Sequence, residues 1–342
     1  MHKLTICVVP LISLLTQKVV AAEAEPSRHA DAIWRINAQT QGAGTPNSAG
    51  VGLFFPLVSK TESNLFIDVA VNANFSDFKG YSSIINTDVK GVTPSTSTRL
   101  GYRWIASSWM FGLNAGYDTR SLKSGSTDTG VSVTGQTTVH YQQIAIGGEA
   151  NSDKWNINAY ALLPVGNREQ QLNSAYNSGA ITTYGADLGY RLPLNMLASL
   201  GYYYQSNNLE SINGSGARAA IVYGWTNNVA LGANISRDQA FQTRFSVNLT
   251  YSFGKSNPSA GQNQGMFKPL QNRDIRVHDN GGNGGNGGNG GTGGNGGNGG
   301  NGGAGGLASS GNGGNGGNGG NGGAGVTSNG GNGGAGGNGG DV

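Results

Sequence analysis

Few side chains in the body of this chain can do chemistry. Asp118 and Glu149 are carboxylates able to share acid–base work, and His140 is the one histidine within the patterned region. Acid–base catalysis needs its groups within hydrogen-bond reach of one reacting atom. Nothing in the spacing of Asp118 and Glu149 fixes them in a shared site, and no serine motif accompanies His140. A lone histidine has many uses besides catalysis. His29 and His278 flank the patterned region without partners at metal-ligand spacing. The only cysteine, Cys7, lies in the leader, so a cleaved chain has no thiol catalysis, disulfide or cysteine zinc site. The C-terminal glycines are no phosphate loop, because no Lys-Ser/Thr follows and no strand–helix context surrounds them. No catalytic, cofactor-binding or metal-binding residue is therefore assigned, no cofactor is called for, and the chain is expected not to be an enzyme.

The elements that hold these residues are strands. In the last of them, Phe245, Val247, Leu249, Tyr251 and Phe253 alternate with Arg244, Ser246, Asn248, Thr250 and Ser252. That is the strand period of two. Leu65, Ile67, Val69, Val71, Ala73 and Phe75 alternate with polar positions that include Asp68, Asn72 and Asn74. Trp109 to Asp118 and Trp155 to Leu163 repeat the pattern. The reading gives about twelve strands, over 33–41, 48–58, 64–75, 97–106, 109–118, 138–151, 154–165, 181–192, 196–205, 215–224, 229–237 and 243–253. Runs of about ten alternating residues can cross a bilayer when tilted.

Composition and ends narrow the class. Lys3, the apolar run Leu4 to Leu15 and the small residues before Glu23 or Glu25 have the form of a secretory signal peptide over 1–24. Charged residues make up 11% of the chain, which suits an exterior facing lipid better than a charge-coated soluble globule. A net charge of +3 gives no argument for nucleic acid. Links between strands are short on one side, such as Ser107-Ser108 and Ser152-Asp153, and long on the other, over 76–96, 119–137 and 166–180. Short periplasmic turns and long outer loops are the habit of outer-membrane barrels. Trp34, Trp104, Trp109, Trp155 and Trp225 all fall at the short-turn end, while Phe75, Tyr117, Tyr141, Tyr184 and Tyr202 fall near the other. Two aromatic belts mark the two lipid–water interfaces. The expected fold is an all-β, transmembrane, antiparallel up-and-down barrel over 25–254, its N-terminus periplasmic. Asp68, Arg99, Arg103, Asp118, Glu149, Asp187, Arg191, Arg218 and Arg244 would face the lumen, where opposite signs can pair and clasp a threaded chain.

Several stretches together resemble one family. Leu100-Gly101-Tyr102-Arg103 precedes Gly112-Leu113-Asn114-Ala115-Gly116-Tyr117-Asp118. Gly147-Gly148-Glu149-Ala150, Trp155-Asn156-Ile157-Asn158-Ala159-Tyr160 and Leu163-Pro164-Val165-Gly166 follow in order. This series resembles the β-domain of inverse autotransporters, the intimin/invasin family, over about residues 33–254. The resemblance implies a twelve-stranded barrel, assembly by the barrel-assembly machinery, and a chain that returns through the lumen to display a C-terminal passenger. No immunoglobulin-like strands follow Phe253, and the N-terminal peptidoglycan-binding module of larger members is missing.

Residues 255–279 hold Pro258 and Pro269 and are poorly suited to a helix. Extended, such a linker reaches roughly 80 Å, ample for a ~30 Å hydrocarbon core. Over 280–342, Gly-Gly-Asn repeats carry almost no large apolar side chains and are expected to form a disordered polar tail. The expected function is an outer-membrane anchor and translocator that presents this tail, with lipid and cell-surface contacts as its partners. The alternative is a porin-like diffusion channel. A barrel phospholipase would need a serine paired with His140 on the lipid-facing surface.

Overall fold

A computed structural model describes residues 32–207, 212–254, 265–271 and 274–281. The expected leader, the first part of the linker, His29 and the tail beyond Gly281 lie outside the described residues. The strands are β1 (Ile33–Gln39), β2 (Asn47–Ser59), β3 (Ser63–Phe75), β4 (Thr87–Val89), β5 (Thr93–Ala106), β6 (Trp109–Thr127), β7 (Thr138–Asn151) and β8 (Trp155–Val165). They continue as β9 (Glu169–Gln171), β10 (Tyr176–Ala180), β11 (Thr182–Leu192), β12 (Met196–Ser206), β13 (Asn213–Gly224), β14 (Val229–Asp238), β15 (Gln242–Phe253) and β16 (Val277–Gly281).

Twelve of these form one antiparallel ring in chain order, β1-β2-β3-β5-β6-β7-β8-β11-β12-β13-β14-β15. The ring closes where β1 pairs with β15, from Trp34 opposite Phe253 to Gln39 opposite Asn248. Closure satisfies every strand edge inside the sheet, which is what a hydrocarbon environment demands. The outward face carries exposed Val51, Val71, Leu100, Leu113, Ile146, Leu188, Leu200 and Phe245. Asn64, Asp68, Asn72, Arg99 and Asp118 are buried on the inward face. The period-two pattern thus sorts lipid-facing from lumenal residues as the sequence predicts.

Tight turns join strands at one end, here the turn end. The β11–β12 turn places Leu194 at φ 63° and Asn195 at φ 56°, the paired left-handed geometry that matches strand twist. Tyr102, Trp104 and Phe111 stack in series at this end, with Trp109 on Phe111 at 6.4 Å. Trp155 meets Tyr190 edge-on at 4.8 Å.

Two expectations need correction. Tyr141 is no member of an outer belt; it is fully buried on the inward face. Its strand parity explains this, because His140, Ile144 and Ile146 point outward. Strand β6 also runs on to Thr127 rather than ending at Asp118. Past Tyr117 its outward residues are Thr119, Ser121 and Lys123, so the apolar signal stops while the pairing continues.

Inward glycines let neighbouring rings lie flat against the wall. A Cβ on Gly101 would stand 2.3 Å from Phe66 Cζ, and one on Gly216 would stand 2.4 Å from the Tyr203 ring. Gly101→Val is expected to lower barrel stability by about 1–3 kcal/mol through overpacking, read as a lower urea midpoint for unfolding from lipid vesicles.

Candidate functional site

The lumen is built from charged pairs and an occupant. Arg35 binds Asp68 at 2.6 Å, Arg99 Nη2 binds Asp118 at 2.7 Å, Arg103 binds Glu149 at 2.7 Å, and Arg218 Nε binds Asp187 at 2.7 Å. Arg244 donates to the Phe241 carbonyl at 3.0 Å and lies over the Tyr81 ring. Arg191 uses its backbone N–H on Lys154 O at 2.8 Å. Asp118 and Glu149 are not brought together. Asp118 stands opposite Gln143 and Glu149 opposite Gly112, each with its own arginine.

The occupant is the chain's own segment after β15. Asn64 donates to Met266 O at 2.9 Å, and Leu270 N–H donates to Asp68 at 2.7 Å. A turn closed by the Lys268 N–H on Gly265 O at 3.3 Å begins the segment, and its contacts with Asn64 and then Asp68 run in the direction of β3. Arg103 reaches the carbonyls of Met266 (3.0 Å) and Lys268 (2.6 Å). Phe267 and Leu270 pack on Ile33, Phe54 and Phe66 near the turn end. Farther along, Gln39 donates to Asp274, and Arg120 donates to Ile275 O and Gly44 O, both at 2.6 Å.

At the loop end the segment becomes strand β16. It pairs with β10 from Val277 opposite Ala180 to Gly281 opposite Tyr176, and β9 completes a small sheet. Ile275 and Val277 are buried with Ile84, Val89, Leu122, Val139, Tyr141, Leu172 and Ala180. His278 is not a bystander beside the barrel: it contacts Ala240 O at 3.1 Å and meets Phe241 edge-on. Sequence reasoning missed this because its partners lie in a distant hairpin and the residue itself belongs to no pattern. A cavity of about 1080 Å³ remains beside the segment, lined by polar residues such as Asn37, Tyr160, Arg218, Asn234, Ser246 and Asn248.

His140 does meet a serine. Ser121 Oγ lies 3.1 Å from its Nδ1 on the outward face. Among the described residues no hydrogen bond orients the ring's other nitrogen, and the His140 backbone is paired with the Gln170 side chain, its N–H donating to Oε1 at 3.3 Å and its carbonyl accepting from Nε2 at 2.7 Å. A triad would need an orienting partner on that nitrogen.

Two buried titratable groups in β16 oppose each other. Burial pushes Asp279 from 3.8 up to about 7, despite hydrogen bonds from Asn86. Burial pushes His278 from 6.5 down to about 4, with Asp238 opposing and Arg244 assisting the shift. A raised carboxyl favours seating below pH 3.8 and loses that contribution as pH rises to about 7. A lowered imidazole favours seating above pH 6.5 and loses it as pH falls to about 4. Between these limits the two slopes cancel. Asp279→Asn is therefore expected to make seating weaken toward acid, and His278→Gln to make it weaken toward neutral pH. Each slope is about tenfold per pH unit, read from hydrogen-exchange protection of the Val277 amide relative to wild type.

No family model and no curated protein matches the chain. Among solved structures, one described as "Unveiling the Mechanism Behind the in-meso Crystallization of Membrane Proteins" is 11% identical with a TM-score of 0.52, covering 73% of this chain and 99% of that one. The chain is a closed, twelve-stranded antiparallel β-barrel. The KdgM porin (12% identity, TM-score 0.39, 66% of this chain and 99% of that one) and outer membrane phospholipase A from Escherichia coli (13%, 0.35, 65% and 92%) are more distant in shape. At such identities the likeness concerns the barrel architecture alone.

Proposed function

We propose that this barrel is an outer-membrane anchor and translocator that presents its C-terminal segment at the cell surface. The observation that supports it is the occupied lumen: residues 265–271 and 274–281 run from the turn end to the loop end, gripped at both. In this reading the turns and the N-terminus face the periplasm, and residues beyond Gly281 leave on the outer side. The ordered motifs between Leu100 and Gly166 support the intimin/invasin-type assignment. The barrel-assembly machinery would insert the barrel into lipid, and contacts of the tail with other surfaces would give it a role in attachment. No enzymatic step is assigned to it.

An epitope tag at Val342 tests the reading. It should be detected on intact cells; detection only after the outer membrane is permeabilised would rule the reading out. The cavity beside the segment favours a second reading, a diffusion channel. A large stable conductance in the full-length protein would select it.

A further inference from the structure

We propose that the loop end of the barrel is a strand-acceptor site, whose ligand class is an extended peptide with apolar residues at alternate positions followed by an acid. Its resident ligand is this chain's own Ile275–Gly281, seated as a reversible seal over the lumen. The proposal deepens the anchor reading and rests on it only for which side of the membrane the site opens.

Both edges of the seated strand are paired. One edge bonds to β10. On the other, Val277 N–H donates to Gly44 O at 3.1 Å and Asp279 N–H to Ile84 O at 3.0 Å. Ile181 N–H adds a bond to Arg276 O at 2.9 Å. The acceptors belong to separate hairpins, the β1–β2, β3–β5 and β8–β11 connections, with Ala240 of the β14–β15 connection beside His278. The seated strand itself comes from none of these connections but from the segment after β15.

The side chains are read in two rows. Ile275 and Val277 fill the apolar cluster, and Asp279 continues their row to accept the Asn86 N–H at 2.8 Å. Arg276 and His278 form the opposite row against aromatic rings: Arg276 stands over Tyr203 and Phe241, and His278 beside Phe241. Main-chain pairing supplies affinity and alternate pockets supply selectivity, the general logic of strand addition. The cavity reaches Gly42, Ala43 and Arg276 at this end. Ala43 packs there with Ile181, Ile212, Ala240 and Phe241, a second apolar cluster beside the seated strand. Removing the strand would leave one cluster without Ile275 and Val277, and Ile84 O without the Asp279 N–H.

The test uses the full-length protein in planar bilayers. Ile275→Asp combined with Val277→Asp should open a conductance that the wild type lacks. A free peptide with the sequence of Asp274–Gly281, added from the loop side, should close it again. The same peptide with aspartate at both apolar positions should not. Unchanged conductance in a variant that has lost protection of the Asp279 amide would overturn the proposal, as would equal closure by both peptides. Where the double variant fails to assemble, Val277→Thr keeps the shape of valine and should give brief openings that the native-sequence peptide suppresses; openings indifferent to that peptide count against the site. A tag at Val342 separates the two ideas. Peptide closure with a tag hidden on intact cells would sink the display reading alone, and an exposed tag without peptide closure would sink the acceptor alone.

Discussion

Replacing Arg120 with Met should release the seated strand while leaving the barrel assembled. Arg120 is fully buried. It spends one guanidinium nitrogen on two carbonyls, Gly44 O in the barrel wall and Ile275 O in the occupant. Asp274 and Asp77 lie within its electrostatic reach. Methionine fills much of the volume but takes the donor from Ile275 O, leaves Gly44 O with the Val277 N–H alone, and leaves the nearby carboxylates without their cation. Removing one partner of a buried charged set costs about 3–5 kcal/mol. Applied to the seat, the lower figure raises the open fraction by about a hundredfold. The readout is faster hydrogen exchange at Val277 and Asp279 with an unchanged heat-modifiable gel shift of the barrel. A lost gel shift would mean that Arg120 holds the wall rather than the occupant.

Replacing Arg103 with Met should act at the opposite end, and on the barrel itself. The Arg103 guanidinium sits 4.6 Å from the Phe66 ring centre and 5.6 Å from that of Phe54. It also binds Glu149 and two carbonyls of the occupant. Methionine would strand the Glu149 carboxylate, at a cost of about 3 kcal/mol in the unfolding free energy, read from urea titrations in vesicles. Adding Glu149→Gln should recover the part due to the stranded charge. The lost grip on Met266 and Lys268 should persist, seen as protease cleavage near Lys268. Lysine at this position should rescue little, because it lacks the planar fork that stacks and donates together.

How much of this was legible in the sequence depends on what surrounds each residue. The strands inside the lipid band were legible because apolar and polar neighbours differ at every step, as from Phe245 to Phe253. The upper part of β6 was not, because Thr119, Ser121 and Lys123 face water on one side while Arg120 and Ser124 are buried on the other. The buried row carries a single apolar side chain there, Leu122 between Arg120 and Ser124, so alternation carries little contrast. Strands β9, β10 and β16 are short; β9 and β10 form a local hairpin without an apolar pattern, and β16 is defined by a partner far along the chain. The lumenal charges could be named from parity, but not their partners. Arg35 reaches across β2 to Asp68, and no local rule selects that carboxylate. The serine beside His140 was likewise hidden, since Ser121 becomes its neighbour only through the β6–β7 register.

The grip of the wall on its occupant is directed at peptide groups. Asn64, Arg103 and Arg120 hold the carbonyls of Met266, Lys268 and Ile275, and Asp68 holds the amide of Leu270. The wall therefore behaves like a collet, which clamps a shaft by its diameter whatever is mounted beyond it. Mutational drift within the clamped stretch is tolerated wherever the apolar anchors stay in place. Such a clamp is indifferent to the side chains it does not touch, so a change of sequence outside the clamped stretch needs no change in the wall.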